Sequence, residues 1–599
     1  MTGKLSPSDT PVFSPDDPGR GSVHLSSDPR DIGWVRQNVP CQHACPAGTD
    51  VPAYIRSIAE GRHGEAYEIN RGANVLPGVL GRICSRPCES ACRHGWPGNG
   101  EAVSICHLKR FSADAKDAGH RITERLYAPT GKRVAVVGAG PAGVSAAHDL
   151  SLLGHDVVIF EREEKPGGML RYGIPEFRLP RDMLELELHN ALRLGVQLRT
   201  GAPVGVGKGA IRISTLLADF DAVLLSTGCM APNRLALRGV ADDRDLPQDV
   251  EYGLYFLTEL HRGQNKRVGR RVAVVGAGFT ALDCARVARR LGAVEVTIHL
   301  RTSEEYIPVN QEELFETKRE GIRIKGLRTP VGLQVDDNGR LVGVEFVQNR
   351  LGGWRENGRR LAVSIEGSEF VEPCDTLIIA VGQQTVNDFL DIRVEVGRSG
   401  TVRVAENGMT SVSGLFAAGD YVRGATTAIE AIGHGRKIAD AMDSWLVGRR
   451  RQQVVQMEPV AAPLRERAFD FITRQHMPTT PLANRQLNRE VECGLTQPLA
   501  NEEAKRCYLC DLCYQIDVDR CIYCRACIEV APRNCIKLVQ NVELQTDGSY
   551  GPLQETREWN RVAAIWIDNN ECIRCGACFV VCPVSCIFIT RNKLITVDV

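Results

Sequence analysis

Six cysteines near the C-terminal end repeat one spacing: Cys521, Cys524 and Cys527, then Cys572, Cys575 and Cys578, the second run closed by Cys582 and Pro583. Three thiolates at that step wrap one iron–sulfur cube, and a cysteine followed by proline supplies the fourth ligand of the neighbouring cube. Zinc sites also use Cys-x2-Cys. A third cysteine at the same step, followed by Cys-Pro, points instead to iron and sulfide. The chain is therefore expected to handle single electrons. After the first run the position matching Cys582 is Ala531, followed by Pro532. Cys535, one helical turn on, is the candidate replacement ligand. The alternative is a packing cysteine, since Cys586 holds the matching place beside an intact Cys582.

Two other runs carry phosphate-binding chemistry. Val134 to Val137 followed by Gly138-Ala139-Gly140-Pro141-Ala142-Gly143 reads as a strand, a glycine turn and a helix start. Gly138 permits the tight turn, Gly140 lets a pyrophosphate approach the backbone, and Gly143 lets helix and strand pack closely. The helix N-terminus then faces the phosphates. Glu161, ending the next strand, is placed to hold a ribose hydroxyl. The second copy runs Gly276-Ala277-Gly278-Phe279-Thr280-Ala281, with alanine in the third glycine place. Its following strand meets Arg301 and no acid. An arginine there accepts a 2′-phosphate and favours NADP over NAD, the plainer alternative being a solvated surface arginine.

Two nucleotide folds in one chain suggest a flavin and a nicotinamide. Gly167 and Gly168 follow Glu161, while Ser226-Thr227-Gly228 and Ala380-Val381-Gly382 close the two strand units. Ala418-Gly419-Asp420 precedes a helix expected to run through Thr426, Thr427 and Glu430. Asp420 is expected to hold the flavin ribityl chain, and that helix N-terminus to face the isoalloxazine carbonyl edge.

Such sites need elements to position them. A chain of 599 residues suits about four domains, and 43% hydrophobic residues suffice for several cores. Lysine plus arginine equals aspartate plus glutamate, 73 each, which argues against nucleic acid or an acidic membrane as partner. Most of the 22 cysteines stand at metal-ligand spacing, no signal-peptide pattern is seen, and no apolar run reaches the roughly 18 residues of a membrane span. A reducing cytoplasm is expected. Residues 1–30, rich in Pro, Ser, Asp and Gly, read as a disordered tail. Residues 31–127 hold six cysteines and helical stretches such as Val51 to Asn70. Residues 128–450 are α/β, with short apolar strands at Val134–Val137, Val157–Phe160, Val223–Ser226, Val272–Val275, Val294–Leu300, Leu377–Val381 and Leu415–Ala418. Residues 451–505 show little strand character and read as a linker to 506–599. Cys229, Cys284 and Cys374 are widely separated, read as core thiols, and argue against a thiol–disulfide reductase.

The stretch 31–450 resembles the small subunit of glutamate synthase and the matching N-terminal half of dihydropyrimidine dehydrogenase. The likeness is carried by Cys41 to Pro46, Gly81 to Cys84, Pro87 to Cys92, the run from Arg171 to Pro180, and both nucleotide fingerprints in order. It implies a multidomain α/β protein. A helical iron–sulfur domain (31–127) precedes two glutathione-reductase-like, Rossmann-type domains: an FAD domain in two parts (128–231 and 386–450) around an NAD(P) domain (232–385). An α+β ferredoxin-like two-cluster domain (506–599) follows. The resemblance places FAD at Gly138 through Gly143, Glu161 through Met169, Arg178, Gly419 and Asp420. It places the nicotinamide nucleotide at Ala277 through Thr280, Arg301 and Ala380 through Gly382.

Two departures from that family bear on function. Thr302 stands where a second basic residue often follows Arg301, which leaves NAD open. The Cys-x2-Cys that usually precedes the equivalents of Cys41 and Cys45 is missing. In the family two clusters share the helical domain, one of them completed by that pair. The segment from Glu490 to Cys510 looks like the stretch that normally carries it, moved to the C-terminal side. Cys507 and Cys510 are therefore expected to complete a cluster with Cys41 and Cys92, and Cys106 to join Cys45, Cys84 and Cys88. The alternative is one cluster on Cys45, Cys84, Cys88 and Cys92, leaving Cys507, Cys510 and Cys513 spare.

The expected function is that of an FAD-dependent NAD(P)H:acceptor oxidoreductase. It would move electrons between NAD(P)H, FAD and three to four 4Fe–4S clusters, to or from ferredoxin or a larger catalytic subunit of 2-oxoacid, formate or aldehyde oxidoreductase type. A hetero-oligomer is implied. Hydride and electron chemistry belong to the cofactors, so no side chain is expected to be catalytic. No glutaminase or flavin-barrel domain accompanies the motifs. Two alternatives stay open: a glutamate synthase small subunit proper, and a non-catalytic electron-wire subunit.

Overall fold

The computed structural model describes residues 29–116, 122, 124, 126–354, 360–544 and 550–599; the expected disordered tail lies almost wholly outside them. The N-terminal region is helical, as its residues suggest. The helical stretch from Val51 to Asn70 comprises two helices, Val51–Ala59 and His63–Asn74. Gly61 sits between them at φ +76°, a left-handed turn that glycine adopts without penalty and that ends a helix.

Two parallel five-stranded sheets follow, built alike. The first runs Leu415–Ala417, Ala222–Leu225, Arg133–Val137, Asp156–Phe160, Gln197–Arg199. The second runs Val250–Tyr252, Thr376–Ile379, Arg271–Val275, Glu295–His299, Arg323–Lys325. Each puts the strand that feeds a glycine turn at its centre, where it is buried on both faces and reads as an unbroken apolar run. The chain leaves the first unit and returns to it through a short antiparallel pairing, Ala231–Pro232 with Gln383–Gln384. An antiparallel ribbon, Arg328–Val335, Leu341–Trp354, Arg360–Ser364 and Phe370–Pro373, flanks the second sheet.

The segment expected as a linker is structured. Arg451–Val460 forms a ten-residue strand paired along its length with Ile587–Asp598, from Arg451 opposite Asp598 to Val460 opposite Ile589. Its polar residues, Gln452, Gln453, Gln456 and Glu458, suit a sheet edge; the partner that makes it a strand is more than a hundred residues away. The expected boundary at 505 also cuts through a packed unit. Helix Gln497–Lys505 lies against Val51–Ala59. The buried Glu503 carboxylate accepts from the Ser104 amide at 2.7 Å, and Arg56 pairs with Asp511 at 3.1 Å. One hydrophobic core includes Trp34, Tyr54 and Leu108 from the helical region with Leu512, Ile567 and Ile589 from the C-terminal region.

The C-terminal region is a twofold repeat. Strand Leu512–Ile516, the Cys521 run, helix Ala526–Val530 and strand Ile536–Leu544 recur as Ala564–Ile567, the Cys572 run, helix Ala577–Val581 and Ile587–Asp598. The first strand of each half pairs with the last strand of the other, so the halves fold only together. Among the described residues no helix is long and apolar enough to cross a membrane.

Candidate functional site

Both glycine turns open onto one cleft of about 1320 Å³. Ordinary small-molecule sites occupy roughly 300–1,000 Å³, so this one has room for two large ligands end to end. On the first sheet's side it is lined by Gly138, Gly140, Pro141, Ala142, Glu161, Gly168, Met169, Thr227, Gly228, Asp420, Thr426 and Thr427. On the second sheet's side stand Gly276, Ala277, Gly278, Phe279, Thr280, Arg301, Ala380 and Gly382, with Arg178 between. Gly143 and Gly419, expected at the cofactor, do not line the cleft. A Cβ on Gly143 would lie 2.0 Å from the Gly138 carbonyl oxygen, and one on Gly419 2.7 Å from the Ala142 Cβ. Both are packing positions that bring the helix beneath the cleft close to its neighbours.

The first half of the cleft offers what a flavin dinucleotide needs. Gly140 N-caps helix Pro141–Leu152 and has open space where a Cβ would stand, so the helix N-terminus is bare to an anion. Glu161 is buried and fixed: its carboxylate accepts from the Ala139 amide at 2.7 Å and the Glu163 amide at 2.9 Å. Asp420 accepts from the Thr426 amide at 3.1 Å, and burial pushes its carboxyl above the usual range. Thr427 caps the long helix Ala428–Val447, in a reciprocal box with Glu430; Thr426 precedes that helix instead of lying on it. The Thr227 hydroxyl is buried with no partner in this wall, a polar atom suited to a ligand. Arg178 is largely committed elsewhere. Its guanidinium bonds Asp283 at 3.0 Å and Glu313 at 2.6 Å, bracing the two nucleotide units, and only Nε is left unpartnered.

In the second half, Gly278 is likewise an open N-cap, of helix Phe279–Arg290. Arg301 is exposed, and among the described residues its guanidinium makes no ion pair. A second cation that sequence reasoning missed lines the same cleft: Arg360, stacked on Trp354 at 5.0 Å and Tyr306 at 5.9 Å, its Nε buried without a partner. It comes from the antiparallel ribbon, about sixty residues past Arg301, where no motif marks it. His299 lies beneath, stacked on Phe346 at 4.4 Å. Burial pushes it down to about 4, so it is neutral at physiological pH.

The cysteines gather into four groups. Cys45, Cys84, Cys88 and Cys106 surround the buried Lys109. Burial alone would lower that amine, and the four sulfurs more than offset it, so Lys109 stays charged. Cys41, Cys92, Cys507 and Cys510 line one small apolar cavity. There burial, then the neighbouring sulfurs of Cys510, Cys92 and Cys507, raise the Cys41 thiol well above its ordinary value. Cys535 stands within hydrogen-bonding reach of Cys572, beside Cys578, and Cys575 completes that group. Cys527 neighbours Cys521 and Cys524, and Cys521 lies within hydrogen-bonding reach of Cys586, whose Sγ is 3.4 Å from that of Cys582.

The local backbone fits iron–sulfur cubes. The second residue after the leading cysteine is left-handed in every turn: Arg86 (φ 64°), Leu509 (50°), Tyr523 (54°) and Arg574 (57°). Non-glycine residues take that conformation only where the surroundings demand it. It turns the amides of Arg86, Leu509 and Arg574 onto the sulfurs of Cys84, Cys507 and Cys572, each at 3.4 Å. Among the described residues no three His, Cys, Asp or Glu side chains converge as they would on a single ion.

Residues 132–435, about half the chain, match the family model for pyridine nucleotide-disulphide oxidoreductase. The chain belongs to that family. Residues 36–120 match dihydropyrimidine dehydrogenase domain II with its 4Fe–4S cluster, and 520–590 match a 4Fe–4S dicluster domain. It is an FAD-dependent NAD(P)H oxidoreductase with multiple 4Fe–4S clusters, an electron-transfer protein. Among its relatives is the NADP(+)-dependent formate dehydrogenase subunit beta of Moorella thermoacetica, 38% identical over 505 residues, spanning 79% of this chain and 70% of the relative. The NADPH-Fe(3+) oxidoreductase subunit beta of Geobacter sulfurreducens is 32% identical over 513 residues, 79% of this chain and 75% of its own. The glutamate synthase (NADPH) small chain of Escherichia coli is 34% identical over 431 residues, 68% and 89%. Among the described residues no pair of cysteines lines the cleft. Cys229 lines it alone, pushed up to about 12 by burial, and Cys284 and Cys374 are buried apart from it.

Proposed function

We propose that this chain is the NADP(H)-side subunit of a larger iron–sulfur enzyme, with FAD on the first sheet, the nicotinamide nucleotide on the second, and four 4Fe–4S clusters in line. The carrying observation is the junction between cleft and thiols. Ile83 and Ser85, on either side of Cys84, line the same cleft as Gly140 and Thr427. From Cys84 the groups follow in order. Cys88 neighbours Cys41. Arg93 reaches from the Cys510 sulfur at 3.7 Å to the Cys572 carbonyl at 3.5 Å. Cys578 neighbours Cys527, and Cys524 is exposed.

When bound, the nicotinamide and flavin supply hydride transfer and the clusters single-electron transfer. The chain's residues do the rest. The bare helix N-termini at Gly140 and Gly278 attract the two pyrophosphates. Glu161 accepts from a ribose hydroxyl, Asp420 and Thr227 bond the ribityl region, and the N-terminus of Ala428–Val447 presents positive potential to the flavin's carbonyl edge. Lys109, Arg93 and Arg574 place buried positive charge against thiolate groups and so favour added negative charge there. Gly143, Gly419 and Arg178 hold the walls in place. The domain divisions read from the sequence serve this arrangement up to residue 450. Beyond it, 451–599 acts as one unit with the helical region.

The partner is a catalytic iron–sulfur subunit, and the relative named as a formate dehydrogenase subunit favours a formate-oxidising one. It would meet the exposed Cys524 rim, where Ile522 and Val580 are 59% and 78% exposed. The glutamate synthase relative matches a smaller share of this chain and leaves the C-terminal cysteines without a role. Anaerobic titration with NADPH tests the reading. The flavin band should bleach and cluster EPR signals should rise in the isolated chain, with about sixteen irons per chain. Bleaching with no cluster reduction would refute it.

A further inference from the structure

We propose that the outermost cluster has two interchangeable fourth ligands, Cys582 and Cys586. The proposal rests on the four-cluster reading above. Its basis is the twofold repeat. In the inner half Ala531 removes the usual fourth ligand, and Cys535 is the thiol that reaches Cys572. Cys535 is positioned by its backbone, its carbonyl accepting from the Asp568 amide at 2.7 Å. Asp568 stands four residues before Cys572. In the outer half the Cys586 carbonyl accepts from the Asp517 amide at 2.8 Å, and Asp517 stands four residues before Cys521. Cys586 also lies within hydrogen-bonding reach of Cys521. It therefore relates to Cys521 as Cys535 relates to Cys572.

What differs is that the outer half keeps Cys582 as well. The Cys582 and Cys586 sulfurs are 3.4 Å apart, and the Cys586 amide donates to the Cys582 sulfur at 3.3 Å. Two thiols thus converge on one coordination position, and the companion half shows that the later one reaches it unaided. The duplication falls at the exposed end of the line, beside the exposed Cys524. A surface thiolate is the one most open to oxidation, so a second ligand within reach would keep the cluster when the first is lost.

The test uses the full chain purified anaerobically, with flavin content as the measure of intact folding. Cys582→Ala and Cys586→Ala are each expected to keep about sixteen irons per chain, with a shifted EPR signal for the outer cluster in at least one. The double variant should lose about four irons. Loss of the outer cluster in either single variant overturns the proposal. The inner half supplies the converse. Cys535→Ala should lose about four irons, and Cys535→Ala combined with Ala531→Cys should regain them. A Cys535→Ala chain that keeps its inner cluster overturns the ligand reading and the proposal with it. Single-variant loss alongside the expected Cys535 result overturns the proposal alone.

Discussion

Replacing Arg301 with alanine should weaken a preference for NADPH over NADH by about tenfold, and the structure sets the scale. A 2′-phosphate carries about −1.5 to −2 charges at pH 7, and a hydrogen bond to a charged group contributes about 1.5–3 kcal/mol. Arg301 is exposed, so water and salt weaken its share. The lower figure applies, about tenfold in KM for NADPH. Arg360 is only half-exposed and held by two aromatic rings. Its guanidinium loses less entropy on binding, so Arg360→Ala should cost about tenfold or more. The pair should approach a hundredfold if their effects add. The assay is steady-state reduction of a one-electron dye by NADPH and by NADH, each variant measured with both. KM for NADH should move less than about twofold. If KM for the two nucleotides rises together, the arginines support the cleft wall and do not read the 2′-phosphate. If the native chain prefers NADH and Arg301→Ala changes nothing, the NADP assignment fails.

Other outcomes follow from the same geometry. The double variant Cys507→Ser, Cys510→Ser should lose about four irons while keeping its flavin; an unchanged iron count would refute the cluster shared with Cys41 and Cys92. Lys109→Met removes the buried charge among Cys45, Cys84, Cys88 and Cys106 and should shift that cluster's midpoint potential negative in an EPR-monitored redox titration; no shift would show that the charge is screened. Gly143→Ala puts a Cβ 2.0 Å from the Gly138 carbonyl and should cost about 1–3 kcal/mol with loss of flavin, seen as a lower denaturation midpoint. Glu320, held down to about 2 by Arg290 and Arg286 against its burial, stabilises the fold above its unfolded value of 4.5 and loses that contribution as pH falls through about 2. Urea unfolding of Glu320→Gln should show a deficit of about 3 kcal/mol at neutral pH that shrinks on acidification.

Sequence alone determined whatever a few consecutive residues dictate. A glycine turn between an apolar strand and a helix has one geometry, so Gly138, Gly140, Gly276 and Gly278 were legible, as was Glu161 at the end of the next strand. The Cys-x2-Cys runs are equally local: their spacing forces the left-handed turn seen at Arg574 and Tyr523. The gathering of Cys507 and Cys510 with Cys41 and Cys92 was suggested by resemblance, yet nothing in the spacing could place thiols more than four hundred residues apart on one cavity.

Tertiary structure alone decided the rest, wherever a partner lies far along the chain. Arg451–Val460 is a strand because Ile587–Asp598 pairs with it, and its own polar residues give no such sign. Arg360 joins Arg301 only because an antiparallel ribbon folds over the second sheet. Gly419 packs against Ala142 and Arg178 braces the two nucleotide units, distinctions that rest on what stands opposite each residue. Local pattern specifies a turn. Which turns share a cleft, and which thiols share a cube, depends on how separate hydrophobic faces bury one another, and that is settled only when the whole chain packs.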